Sequence, residues 1–162
     1  MNGWMTTGCT RAAPRRGTST VELAMVAPLL IFLLFGIIEF GLMVKDLVGV
    51  NQAAREGARC AAVGATPATL DTRIAAAAPT INGANLQKTY EYRAFDEASG
   101  TWGDWQALAD DGVENTAETG DQIRISIQYP HQLVTGGLFA GIADDPGGGT
   151  ITLRTAIVMQ RE

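Results

Sequence analysis

The chain has 162 residues, is 46% hydrophobic and 18% charged, and carries a formal net charge of −5; this allows one modest domain, or one domain plus an anchor, and excludes global disorder and two large cores. Residues 1–17 contain Arg11, Arg15 and Arg16 and no acid, so the rest of the chain is more acidic still and is a poor match for nucleic acid, whose phosphates are neutralised by Lys and Arg. Two cysteines, Cys9 and Cys60, supply neither a disulfide framework nor a zinc cluster.

The first predicted element is the charge-free run Leu23–Ile38, LAMVAPLLIFLLFGII. With Val21 and the stretch to Val44 it reaches the roughly twenty residues that a membrane-crossing helix needs. Its Leu, Ile, Val and Phe side chains contribute on the order of −5 kcal/mol to insertion, enough to outweigh a charged residue near each end. A buried core helix is rarely apolar on all sides in so short a chain. The residues after the run, Ile38-Glu39-Phe40-Gly41-Leu42, make a poor secretory cleavage site, so a retained anchor is expected. The basic cluster precedes the run, and Lys45 and Asp46 nearly cancel after it; this places the N-terminus in the cytoplasm and the C-terminal part outside. Pro28 removes one backbone hydrogen bond and is expected to kink the helix, which a membrane helix tolerates. Two carboxylates border the run. Glu22 is costly there unless it has a partner or reaches the headgroups, and Glu39, with no cation before Lys45, either snorkels to the outer surface or contacts another subunit.

Beyond the run, Leu47, Val50, Ala54, Gly57, Ala58 and Ala61 share one helical face, and Lys45, Gln52, Glu56 and Arg59 lie opposite. The anchor therefore continues as an amphipathic stalk whose small residues admit close approach of a sheet. Cys60 on this segment reads as a small packing residue or as an intermolecular cross-link. Ala68–Ala78 suggests a short second helix ending at Pro79. Lys88–Phe95 and Thr101–Leu108 flank the five-residue loop Asp96-Glu97-Ala98-Ser99-Gly100 and read as a hairpin. On it, Trp102 and Trp105 are three apart and would point to opposite faces of a flat strand, one of them open to a partner or to packing. Ile123, Ile125, Ile127 and Tyr129 alternate with polar residues, and Ile151, Leu153, Thr155, Ile157 and Met159 repeat the pattern, as strands covered on one face do. Four strands are the base estimate, and the outer part of the N-terminal helix is the available cover. Gly136-Gly137 and Pro146-Gly147-Gly148-Gly149 mark flexible turns around Leu138, Phe139 and Ile142. The only histidine, His131, has no partner at metal-ligand spacing and is given a structural or solvent role. The acidic middle lacks a calcium-loop pattern.

Two segments resemble a known family. Arg15-Arg16-Gly17-Thr18-Ser19-Thr20-Val21-Glu22, running straight into the apolar block, resembles a prepilin peptidase site. Asn51-Gln52-Ala53-Ala54-Arg55-Glu56-Gly57-Ala58-Arg59-Cys60-Ala61-Ala62, alanine-rich with a Gly-Ala-Arg core, resembles the TadE-like family, minor pseudopilins of tight-adherence (Flp-type, type IV-related) pilus systems. Gly120-Asp121 before an alternating strand, and an apolar strand closing near Arg161-Glu162, are also similar to that family, more weakly.

The resemblance implies a cut between Gly17 and Thr18, which makes Glu22 the fifth residue of the mature chain. It implies that Glu22 pairs with the new α-amino group of Thr18, in its own chain or a neighbour's, with one helical turn between them. The implied protein is a structural subunit of the cytoplasmic (inner) membrane, not an enzyme, with no cofactor and no metal. The implied partners are the prepilin peptidase, the inner-membrane assembly platform, other minor pseudopilins and, as a further candidate, the major pilin. The expected organisation is a cleaved basic leader at 1–17, a transmembrane helix at 18–44, its amphipathic extension at 45–64 and an extracytoplasmic domain at 65–162. The expected fold is α+β, a long N-terminal helix packed on a small antiparallel sheet as in pilins. The alternative is an uncut, signal-anchored binding domain outside any pilus system.

Overall fold

The computed structural model describes residues 16–135, 140–145, 147 and 149–162. The described residues up to Ile37 and those from Ile38 on are separate compact units. One helix, α1 (Arg16–Ala62), runs through both and passes Pro28 without a break in its helical assignment. In the first unit nearly every side chain of Leu23–Ile37 is exposed, including Leu23, Leu29, Leu30 and Phe32. This is the one helix among the described residues long and apolar enough to cross a membrane.

In the second unit the same helix is covered on one side. Val50, Ala53, Ala54, Ala58 and Ala61 are fully buried, Gly57 is buried, and Gln52 and Arg59 are exposed, so the expected amphipathic face is present. Helix α1 ends where Gly64 takes a left-handed φ of +92°, with the amide of Gly64 donating to the Ala61 carbonyl at 3.0 Å. A β-carbon at Gly64 would meet Arg161 Nη2 at 2.6 Å, so glycine is required by both dihedral and space.

A second helix, α2, spans Pro67–Ala77, with Thr66 as its N-cap and proline in its first turn. It ends one residue earlier than the expected Ala68–Ala78, because Ala78 precedes Pro79 and that position disfavours helical dihedrals. Leu70 and Ile74, four apart, are its buried residues.

The strands are β1 (Gln87–Arg93), β2 (Phe95–Asp96), β3 (Thr101–Trp102), β4 (Gln106–Ala107), β5 (Gln122–Gln132) and β6 (Thr150–Gln160). Four of them form an antiparallel sheet in the order β4-β1-β5-β6. Ile123, Ile125 and Ile127 of β5 share the buried core with Val50, Ala54 and Ala58 of α1 and with Leu70 and Ile74 of α2. A β-carbon at Gly57 would lie 2.9 Å from Ile74 and 3.4 Å from Ile125, so the missing side chain is what admits both isoleucines. The architecture is α+β, a long helix on a small antiparallel sheet, consistent with a pilin-like fold.

The expected hairpin is present but divided. β1 pairs with β4 over only Glu91↔Ala107 and Tyr92↔Gln106, and β2 pairs with β3 in a separate ribbon. Ala94 and the Gly103-Asp104-Trp105 segment interrupt the two strands. That interruption also corrects the reading of the tryptophans. Trp102 and Trp105 do not diverge to opposite faces, because Trp105 lies outside the strands; both rings flank the Arg93 guanidinium, at 5.2 and 4.5 Å to their centroids. Of the turn residues expected around β6, Gly136, Gly137, Leu138, Phe139, Pro146 and Gly148 lie outside the described residues.

Candidate functional site

The residues singled out from the sequence are all on α1. Gly17 and Thr18 fall in its first helical turn, and Glu22 follows one turn later, exposed. Glu39, on the same helix, belongs to the second unit.

Glu39 is only 4% exposed. Its Oε1 accepts the amide hydrogen of Val134 at 2.7 Å, and its Oε2 accepts from the Thr135 hydroxyl at 3.1 Å and the Thr135 amide at 3.3 Å. Three donors converge on one carboxylate, which is how a buried charge is made tolerable without a cation. The sequence offered two readings of Glu39, snorkelling or an intersubunit contact, and did not include a partner in the same chain. The available signal was indirect: an acid with no nearby cation needs donors, and those donors come from a segment almost a hundred residues later.

Two helical turns further along α1, Asp46 repeats the arrangement. Its Oδ2 lies 2.8 Å from Nδ1 of His131, and Lys45 Nζ lies 3.5 Å from its Oδ1. His131 is 4% exposed, and its Nε2 is buried without a hydrogen-bond partner among the described residues. The histidine is therefore structural, a link between the end of β5 and α1. Glu39 and Asp46 are seven apart and so lie on the same side of the helix. Together they hold the stretch from His131 to Thr135 against it.

The opposite end of α1 in this unit is closed by a second polar cluster. Asn115 Nδ2 donates to the carbonyls of Ala61 and Ala65 at 2.9 and 3.0 Å. Arg161 Nη1 donates to the Ala62 carbonyl at 3.2 Å, and Arg161 Nη2 pairs with Glu114 at 2.7 Å. A cation and an amide thus satisfy the last carbonyls of the helix, at the end where the helix dipole favours positive charge.

Across β1 and β5, the face turned away from the isoleucines is polar. Glu91 stands opposite Arg124 and Arg93 opposite Gln122. Arg124 pairs with Glu91 and lies 4.1 Å from the Trp105 centroid, Arg93 donates twice to Gln122 Oε1, and Phe95 meets Trp102 edge-on at 5.0 Å. The tryptophans are thus packing partners of two arginines. The hydroxyl of Tyr90 donates to Asp71 on α2 at 2.7 Å, and Lys88 also pairs with Asp71. Burial raises the Tyr90 pKa, and Asp71 adds to the rise. Burial also pushes Asp71 upward, but the hydrogen bonds from Lys88 and Tyr90 outweigh it and leave this carboxyl below its usual range. Cys60 is buried in the core, and burial, then Glu56, raise its thiol above the usual range.

No curated protein and no solved structure matches the chain. The model of the family described as TadE-like protein matches residues 17–59, from the glycine before Thr18 through the inner and outer portions of α1 to the Gly-Ala-Arg core. Residues 17–59 are thus similar to TadE-like proteins, while Cys60–Ala62, Gly120-Asp121 and the strand closing near Arg161-Glu162 lie outside the matched segment.

Proposed function

We propose that this protein is a minor pseudopilin-like structural subunit that takes part in assembling a tight-adherence (Flp) type IV-like pilus. The single observation that carries the reading is the coincidence of the TadE-like match over residues 17–59 with a helix whose inner portion is apolar and exposed and whose outer portion packs on a sheet. A helix exposed on all sides has lipid as its natural solvent, and only an internally hydrogen-bonded element of this kind can cross a bilayer. In this reading residues 1–17 are a leader, 18–44 the transmembrane helix, 45–64 its amphipathic extension and 65–162 the extracytoplasmic domain. Prepilin peptidase cuts between Gly17 and Thr18 on the cytoplasmic side, which removes the basic leader and leaves the anchor in the inner membrane.

Glu22 then sits one turn from the new α-amino group of Thr18 and pairs with it, in the same chain or a neighbouring subunit. Its work is association with the assembly platform, other minor pseudopilins and the major pilin. Cell adhesion follows from the filament, not from turnover by this chain.

The test is the N-terminus of the mature protein recovered from membranes. A chain beginning at Thr18 supports the reading, whereas one beginning at Met1 or Asn2 favours an uncut anchored domain outside a pilus system. Gly17 replaced by a bulky residue is expected to leave full-length precursor in the membrane, and normal processing of that variant removes the assignment. Glu22→Ala is expected to be processed yet to assemble poorly; unchanged piliation refutes the role given to that carboxylate.

A further inference from the structure

The four-stranded sheet has one short edge and one long one. At the short edge β4 offers two residues, Gln106–Ala107, before the Thr116 amide closes on the Ala109 carbonyl at 3.0 Å; so short an edge leaves little to pair with. At the other edge β6 runs for 11 residues. The bonds at its two ends show which of its backbone groups point outward. The Thr152 amide donates to Asp144 Oδ2 at 2.7 Å and the Thr150 carbonyl accepts the Asp144 amide at 2.9 Å, both away from β5, whereas the Arg161 amide points back to the Asp121 carbonyl at 2.7 Å. The register with β5 is unbroken from Thr150 to Gln160, and backbone groups alternate sides along a strand. Arg154, Ala156, Val158 and Gln160 therefore turn their N–H and C=O groups outward, where they have no partner among the described residues. Asp144 caps the start of the edge, and the stretch from Arg154 to Gln160 is open. It has no proline and a single charge, Arg154, although edges kept from pairing commonly carry prolines, bulges or several charges.

The two ends of this open stretch differ in charge. Arg154 and Gln160 stand opposite Gln128 and Gln122, on the sheet face turned away from α1. Arg154 is exposed and has no ion pair among the described residues. Gln160 borders a cavity of about 560 Å³ that takes in Phe95, Trp102, Glu97, Glu118 and Asp121 and is lined by no Lys, Arg or His. Carboxylates beside aromatic rings suit a cation on an apolar stem, which is a lysine side chain.

We propose that the open edge of β6 takes an extended segment of a partner protein as a further strand, antiparallel like every pairing in this sheet. Main-chain hydrogen bonds to Arg154, Ala156, Val158 and Gln160 hold the segment, and side chains at its two ends select it. A lysine opposite Gln160 enters the cavity, and the carboxylate that follows it further along the segment stands opposite Arg154. Between them, alternate apolar side chains on the α1 side cover Ile157 and Met159, the latter 40% exposed. A second copy of β6 fits less well, because pairing the same stretch brings Arg154 to the cavity but only Gln160 to Arg154.

The test uses the full chain in detergent micelles and the end-blocked peptide Lys-Val-Thr-Val-Thr-Val-Glu, followed by anisotropy of a fluorescent copy and by hydrogen exchange. Binding should slow exchange at the amides of Arg154, Ala156, Val158 and Gln160 and leave those of Thr155 and Ile157, which face β5, unchanged. A peptide with Glu at both ends should bind about tenfold more weakly, the loss of one charge-assisted contact. Ala156→Pro removes an outward N–H and should also weaken binding about tenfold, with melting unchanged because an edge position with a free N–H tolerates proline. Arg154→Glu, at an exposed site, should weaken the first peptide and restore binding for one with Lys at both ends, whatever the fate of the proline variant. No binding, protection that misses the four amides, or equal affinity for the double-Glu peptide overturns the proposal. Protection of those amides that needs no peptide and grows with protein concentration assigns the edge to a second copy and overturns it too.

Discussion

The two portions of α1 share one helical backbone, yet the first is apolar on all sides and the second amphipathic, and their surroundings are opposite. From Leu23 to Ile37 large side chains project outward and almost none is covered; from Val50 to Ala61 the covered positions are mostly alanine and glycine. Bulk suits a segment whose solvent is lipid, because every added methylene is favourable there and shape hardly matters. Small size suits a segment that must let two isoleucines and a sheet approach, because close packing tolerates little change of volume. Within the second unit glycine shows where the covered stretch begins: a β-carbon at Gly41 would meet nothing within 4 Å, whereas one at Gly57 would sit 2.9 Å from Ile74.

Substitutions along α1, and in the sheet that its second portion packs on, test that contrast. The largest effect is expected from Ile125→Ala, in the fully buried centre of β5, which should lower the stability of the second unit by about 2–5 kcal/mol. Leu30→Ala should leave the urea midpoint of that unit unchanged in detergent micelles; equal losses would erase the distinction. Gly57→Val should cost about 1–3 kcal/mol through overpacking, while Gly41→Ala should be neutral or stabilise by up to about 1 kcal/mol through helix propensity. Thermal melts of the two variants side by side decide whether the small residues serve packing.

Glu39→Ala, at the boundary between the portions, removes the acceptor of three hydrogen bonds and should cost about 1–2 kcal/mol. Faster hydrogen exchange at the Val134 and Thr135 amides is the specific readout, with Glu39→Gln, which keeps an acceptor, expected to fall in between.

The smallest effect concerns acidity. Because the Asp71 carboxyl is held below its usual range by Lys88 and Tyr90, its contribution is present above the unfolded carboxylate pKa and is lost as pH falls through the folded value, below about pH 4. Asp71 is half exposed, so solvent screening keeps the contribution under about 1 kcal/mol. Asp71→Asn should flatten that part of the pH–Tm curve by this amount, and an unchanged curve would show the pairing to be inert.

Most of the fold was legible because its signals are periodic and local. The apolar run, the small-residue face of α1, and the alternation in β5 and β6 each repeat over many residues, so their environments can be read from spacing alone. Pro79 announced the end of α2, while its start, with Thr66 as N-cap and Pro67 in the first turn, was read one residue late. The breaks in the hairpin at Ala94 and at Gly103–Trp105 were not legible, since a single interruption has no period, and with it went the placement of Trp102 and Trp105. Glu39 and His131 were visible as unusual residues, and Asp46 only as a charge nearly cancelled by Lys45, but their partners were not, because each contact joins positions 85 to 96 residues apart.

By itself the sequence determined that a long apolar helix stands near the N-terminus, that the helix turns amphipathic beyond Val44, and that one-sided strands follow. These are consequences of side-chain chemistry repeated at the period of the backbone. Only the tertiary structure decided which groups satisfy the isolated charges: the amides of Val134 and Thr135 for Glu39, His131 for Asp46, and Arg161 with Asn115 for the end of α1. A buried polar group needs one specific donor or acceptor at about 3 Å, and which distant residue supplies it is settled by the path of the chain, not by the residues on either side.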